Sequence, residues 1–126
     1  KMLWRFFRMA KVRIAVATKG HKGLEDEVSE VFGRSKTFTI VDVEDGEIKG
    51  VNVVENPVAD YPHGAGPIAV KMLIDSGVNV VIAPEIGPGV AKLLEYHSVS
   101  DVLVQPGSKV GDTVRKYLSK QLEAVG

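Results

Sequence analysis

The chain contains no cysteine. That excludes disulfides, thiolate nucleophiles and any zinc or iron–sulfur site anchored by protein thiolates. A metal site would have to be built from imidazole, carboxylate or backbone oxygen, and three His are available. An excess of one charge is lacking too. Sixteen basic residues balance sixteen acidic ones, so nothing global favours nucleic acid or an anionic membrane. No apolar run is long enough to span a bilayer, and the expected setting is the cytoplasm. The first strand-like stretch, Lys11 to Ala17 (KVRIAVA), has no carboxylate. A nuclease using two metal ions needs clustered acidic residues, typically beginning on such a strand. With no G-x-S-x-G elbow and no Cys nucleophile either, the chain is not expected to be an enzyme.

What is present suits one domain. The 126 residues are 44% hydrophobic and 25% charged, enough for a single core. Met9-Ala10 reads as a natural start, and Lys1 to Arg8 (KMLWRFFR) reads as a loosely held upstream extension to a domain spanning 9–126. The most informative stretch is Tyr61 to Leu94. His63-Gly64-Ala65-Gly66 leads into a helix that can hold Pro67 in its first turn, with Ile68, Ala69, Met72 and Leu73 at helical spacing. Gly77 supplies a left-handed stop. Val78 to Ala83 is then an almost continuous β-branched run, as expected of a parallel strand covered on both faces. Pro84 to Gly89 turns the chain into a second helix carrying Val90, Leu93, Leu94 and His97 on one side.

The rest follows in order. Leu24, Val28 and Val31 at i, i+4 and i+7 predict a short amphipathic helix closed by Gly33. Thr37 to Glu44 and Ile48 to Glu55 flank Asp45-Gly46, a strong hairpin signal. Val99 to Val104 is a fifth strand, and Val110, Val114, Leu118 and Leu122 mark a closing helix. The order β-α-β-β-α-β-α-β-α, with right-handed crossovers, predicts an α/β fold. Its five-stranded mixed sheet has the order 3-2-1-4-5, with strand 2 antiparallel.

In that order the chain reverses between strands 1 and 4, and a crevice is expected at their carboxyl ends. Thr18–Gly23, Asn56–Gly66 and Pro84–Gly89 would reach it, joined by Gly33-Arg34-Ser35. His63 is either a metal or cluster ligand or a helix cap. Gly64 and Gly66 either admit an anion to backbone N–H groups or simply make a tight turn. Arg34 and Lys36 either hold an anion or lie solvated, and Glu85 is either a ligand or an exposed strand-end residue. His21, flanked by Lys, has the weaker claim of the two rim His. His97 is expected to pack or cap, and Phe32 to lie in the core.

VSEVFGRSKTFTIVDVEDGEI, NPVADYPHGAGPIAVKMLIDSGVNVVIAPEIGPGVAKLL and GSKVGDTVRKYLSKQL resemble the dinitrogenase iron–molybdenum cofactor biosynthesis family, with its NifX-type, nitrogenase accessory factor-like members. Phe32-Gly33-Arg34, His63 to Gly66 and Ile86 to Gly89 are the most specific points. The resemblance implies a ribonuclease-H-like three-layer α/β/α fold and a non-enzymatic carrier that binds an iron–sulfur or iron–molybdenum cluster. It also implies metallocluster donor or acceptor proteins as partners, with monomer and homodimer both open. His63, Gly64, Gly66, Arg34, His21 and Gly87 would then contact the cluster, with His63 the metal ligand. One position departs from the pattern: the family often reads S-x-H-F-G-R, and here that His is Val31. The alternative is a small-molecule or anion-binding regulatory module that has lost cluster binding.

Overall fold

Alternating apolar residues around an Asp-Gly pair make the first hairpin. The computed structural model describes residues 11–125, so the expected extension at residues 1–8 lies outside the described residues. Strand β1 is Lys11–Thr18, β2 is Thr37–Glu44 and β3 is Glu47–Glu55. Asp45 (φ 58°) and Gly46 (φ 77°) are both left-handed, the pairing of a type I′ turn, whose twist matches that of the strands it joins. Helix α1 (Ala65–Asp75) stops where Gly77 takes φ 81°, its N–H bonding to the Ile74 carbonyl at 3.0 Å. Strand β4 (Val80–Ala83), helix α2 (Pro88–Tyr96), strand β5 (Ser100–Leu103) and helix α3 (Val110–Val125) complete the chain.

The sheet order is β3-β2-β1-β4-β5, as expected. β1 pairs antiparallel with β2 and parallel with β4, and β4 is parallel to β5. All four residues of β4 are buried, in keeping with its central place and its β-branched sequence. Strand alternation sends Ala15, Ala17, Phe38, Ile40, Val81 and Ala83 to one face, where α1 and α2 cover them through Ala69, Leu73 and Leu94. Ile14, Val16, Val41, Val80 and Ile82 face the other way, beneath Val110, Val114 and Leu118 of α3. Each face buries branched side chains worth about 1.5–3 kcal/mol apiece, so both layers contribute to stability. Among the described residues no helix is long and apolar enough to cross a membrane.

One expected element is absent. Residues 24–33 form no α-helix; the chain makes only a 3-10 turn at Gly23–Glu25 and then runs irregularly. Its backbone groups are drawn elsewhere. The Val28 N–H donates to the Ser108 carbonyl (2.8 Å), the Ser29 N–H to Ala17 (2.8 Å), and the Val28 carbonyl accepts from Gly107 (2.9 Å). A helix this short is marginal, and three long-range bonds outcompete it. Val28 is fully buried under α3, whereas Val31 is 42% exposed, so the apparent helical stripe does not share one environment.

Candidate functional site

The switch between β1 and β4 opens a cleft of about 280 Å³. Three segments build it: 31–34, residues 61–66 entering α1, and the β4–α2 connection with Glu85 and Gly87, joined by Val90 of α2. Asn56 fastens the first of these to the turn that leaves β3. Buried at the end of β3, its side-chain amide donates to the carbonyls of Gly33 (2.9 Å) and Ser35 (2.7 Å), while its Oδ1 accepts from the Val58 N–H (3.1 Å). Beneath it lies a buried knot of hydroxyls. Thr18 Oγ1 sits 2.6 Å from Thr37 Oγ1 and 3.0 Å from Thr39 Oγ1, and Ser35 Oγ donates to the Thr18 carbonyl at 3.0 Å. Each polar group there has a partner, so this end of the sheet is held by directional bonds.

The wall itself is backbone against backbone. A Cβ on Gly33 would lie 2.7 Å from both N and Cα of Gly66, and a Cβ on Gly66 would lie 2.8 Å from Val90 Cγ2. Gly33 and Gly66 therefore let segments 31–34, α1 and α2 approach one another. Gly64 differs: it takes φ 75° as the N-cap of α1, with open space where a side chain would project. Gly87 is the N-cap of α2 and also faces open space. Neither N-cap makes a side-chain hydrogen bond, and neither helix has an acidic residue in its first turn. The positive ends of two helix dipoles thus meet at one cleft. Arg34 and His63 line it as well, and Glu85 is the one carboxylate among its lining residues.

Five expected site residues, Arg34, His63, Gly64, Gly66 and Gly87, thus share the cleft, and Glu85 joins them. His21 does not. It pairs with Glu55 at the end of β3, and loop 18–23 lines no part of the cleft because Asp26 and Thr37 bind its backbone elsewhere. Lys36 is also outside. His97 is the C-cap residue of α2 with Tyr96 edge-on to its ring, and Phe32 is buried against Phe38. His63 makes no side-chain hydrogen bond among the described residues, so its alternative role as a cap of α1 is not the one observed. From sequence, Asn56 and Tyr61 are expected only as part of the loop 56–66, and Val90 only as part of a helix face. The signal for Asn56 was its place before Pro57 at a strand end, where Asn side chains commonly bond nearby backbone.

The donor set favours an anion over a bare cation. Among the described residues no three His or carboxylate side chains converge on one point. The cleft offers positive potential and few side-chain ligands, which suits a negatively charged group.

Over residues 10–120 the sequence matches the family described as dinitrogenase iron–molybdenum cofactor. The chain belongs to that family. An uncharacterized protein of Methanocaldococcus jannaschii is 30% identical over 98 residues, covering 78% of this chain and 82% of its own. The apo form of the orange protein of Desulfovibrio gigas superposes with a TM-score of 0.77 at 29% identity, covering 86% of this chain and 88% of the other. A candidate NifB protein of Thermotoga, placed in the DUF35 family, gives 0.67 at 33% identity over the same shares of both chains. Family and relatives together point to nitrogenase cofactor biosynthesis. Within the cofactor family's frame, Val31 lines the cleft beside Arg34, so the departure from S-x-H-F-G-R falls in the cleft wall.

Proposed function

We propose that this member of the cofactor family is a non-enzymatic carrier whose cargo is an anionic metal–sulfur cluster precursor held in the cleft. The observation that carries the reading is the meeting of two helix N-termini, without side-chain caps, with Arg34 and His63 around one cavity. A preformed cluster brings its own sulfide bridges, so the protein need supply only shape, positive potential and one or two donors. A chain without Cys can do that with His63 as the nitrogen donor and Arg34 as the counter-charge. Gly64, Gly66 and Gly87 would leave room at the helix ends. Partners would be the proteins that deliver the cluster and accept it.

That no three metal-binding side chains converge among the described residues favours a second reading, an anion-binding regulatory module. Anaerobic reconstitution with iron and sulfide separates the two. The carrier should take up colour, and His63→Ala should lose it while melting within about 2 °C of the parent, since exposed substitutions shift stability by at most about 0.5 kcal/mol. A colourless parent that is nevertheless stabilised by sulfate or phosphate would favour the module. Loading by His63→Ala equal to that of the parent would end the ligand role.

Val31→His tests the same cleft in the opposite direction. It adds a second imidazole at an exposed wall position and should slow the loss of loaded iron to a chelator at least about tenfold. An unchanged rate would place position 31 out of reach of the cargo.

A further inference from the structure

The sheet ends in two edges, and they are treated differently. The β3 edge is broken by a register shift opposite Asp42/Val43 and carries Glu47, Lys49 and Glu55, features that discourage pairing with another strand. The β5 edge is regular, and its Leu103 is 60% exposed. Hydrogen bonding fixes which groups are free there. The N–H groups of Ser100 and Val104 donate inward, to Asn79 (3.0 Å) and Ala83 (3.0 Å). By alternation along a parallel strand, the N–H groups of Asp101 and Leu103 face outward.

Beyond that edge, β5 and α3 enclose a groove of about 890 Å³. Val102, Val104 and Tyr117 give it an apolar base. Its far wall is one stripe of α3, running through Asp112, Lys116 and Lys120 from Lys109 just before the helix. From Lys109 to Gln121 the stripe covers roughly 18 Å, the length of about five extended residues. Lys116 and Lys120 meet no carboxylate within 4 Å among the described residues, and Asp112 is the one acidic residue lining the groove. The α3 wall of the groove therefore presents an excess of positive charge beside the β5 edge.

We propose that this groove docks an extended, acidic segment of a partner protein as a sixth strand beside β5. Main-chain bonds to Asp101 and Leu103 hold it, and alternate side chains face α3. Val102 shares its face of the sheet with α3, whereas Leu103 and Asp101 lie on the opposite face. Carboxylates on the α3 side reach Lys116 and Lys120 across Tyr117, and apolar residues on the other side cover Leu103. Charge argues against residues 1–8, a basic stretch, and against a second copy, whose lysines would face these across the two-fold axis.

The test uses fluorescein-labelled heptapeptides of alternating valine and glutamate, or of alternating valine and lysine, followed by anisotropy. The glutamate peptide should bind at least about tenfold tighter than the lysine peptide and weaken with salt. The pair Lys116→Glu and Lys120→Glu should lose at least about tenfold in affinity for it. Leu103→Pro removes one outward donor at an edge position where proline is tolerated, so it should fold and also lose binding. Several results would overturn the proposal: no saturable binding, equal binding of both peptides, or binding indifferent to Leu103→Pro and matched by heparin. So would binding seen only after residues 1–8 are removed, or a dimer in sedimentation that the peptide does not dissociate.

Discussion

Gly33→Ala is expected to lower the melting temperature by about 10 °C and to abolish reconstitution, the response to a loss of about 2–3 kcal/mol in a domain of this size. The added methyl would sit 2.7 Å from the N and Cα of Gly66, atoms with no rotamer to give way. Gly66 cannot retreat, because Val90 Cγ2 stands 2.8 Å from its own Cβ direction. Nor can segment 31–34 move outward without stretching the 2.9 Å bond from Asn56 to the Gly33 carbonyl. The strain falls on the cleft wall, so loading and stability should fail together. Gly89→Ala is the control. A Cβ there meets nothing within 4 Å, and alanine in the first turn of α2 should leave the melting temperature equal or slightly raised. A Gly33→Ala protein melting within about 3 °C of its parent would show that the wall adapts, and would remove the rigidity assigned to it.

The sheet was legible because each strand carried its own signal. Asp45-Gly46 fixed one hairpin, and the apolar run ending at Ala83 had to be central. Segment 24–33 was not legible, because what decides its shape lies far away in sequence. Leu24, Val28 and Val31 have helical spacing, yet Val28 is bound by Ser108 and Gly107, some eighty residues on. The cleft was half legible. Strand order alone brought segments 31–34 and 61–66 and the start of α2 together, and with them Arg34, His63, Gly64, Gly66 and Gly87. Proximity to the same strand ends did not suffice for His21, whose neighbour Glu55 became its partner. The division of labour among glycines was also hidden. Gly33 and Gly66 serve close approach and Gly64 serves a left-handed N-cap, a distinction made by neighbours and not by the G-x-G pattern.

Asp26→Ala should cost about 3 kcal/mol, again near 10 °C in melting temperature, although the residue sits in a loop and touches no ligand cleft. The residue is 5% exposed, and its carboxylate accepts the N–H groups of Gly20 (3.0 Å) and Lys22 (3.1 Å) at one oxygen and of Glu27 (2.7 Å) at the other. Its backbone carbonyl receives the Val110 N–H at 3.0 Å, which ties the same residue to the start of α3. Truncation leaves three donors without their acceptor, each worth about 1–3 kcal/mol if sealed from water and less where water can enter. Asp26→Asn should fall between the parent and alanine, since an amide offers one acceptor oxygen in place of two. The size of the effect separates two pictures of this segment. Were residues 24–33 a surface helix, Asp26 would be an ordinary first-turn acid, and its loss would cost at most about 1 kcal/mol. Hydrogen exchange gives the second measurement: the amides of Gly20, Lys22 and Glu27 should lose protection together in Asp26→Ala, while those of β4 keep theirs relative to global unfolding. A melting temperature within about 2 °C of the parent, with those three amides still protected, would mean that the loop is held by backbone bonds such as those to Ala17, Gly107, Ser108 and Val110.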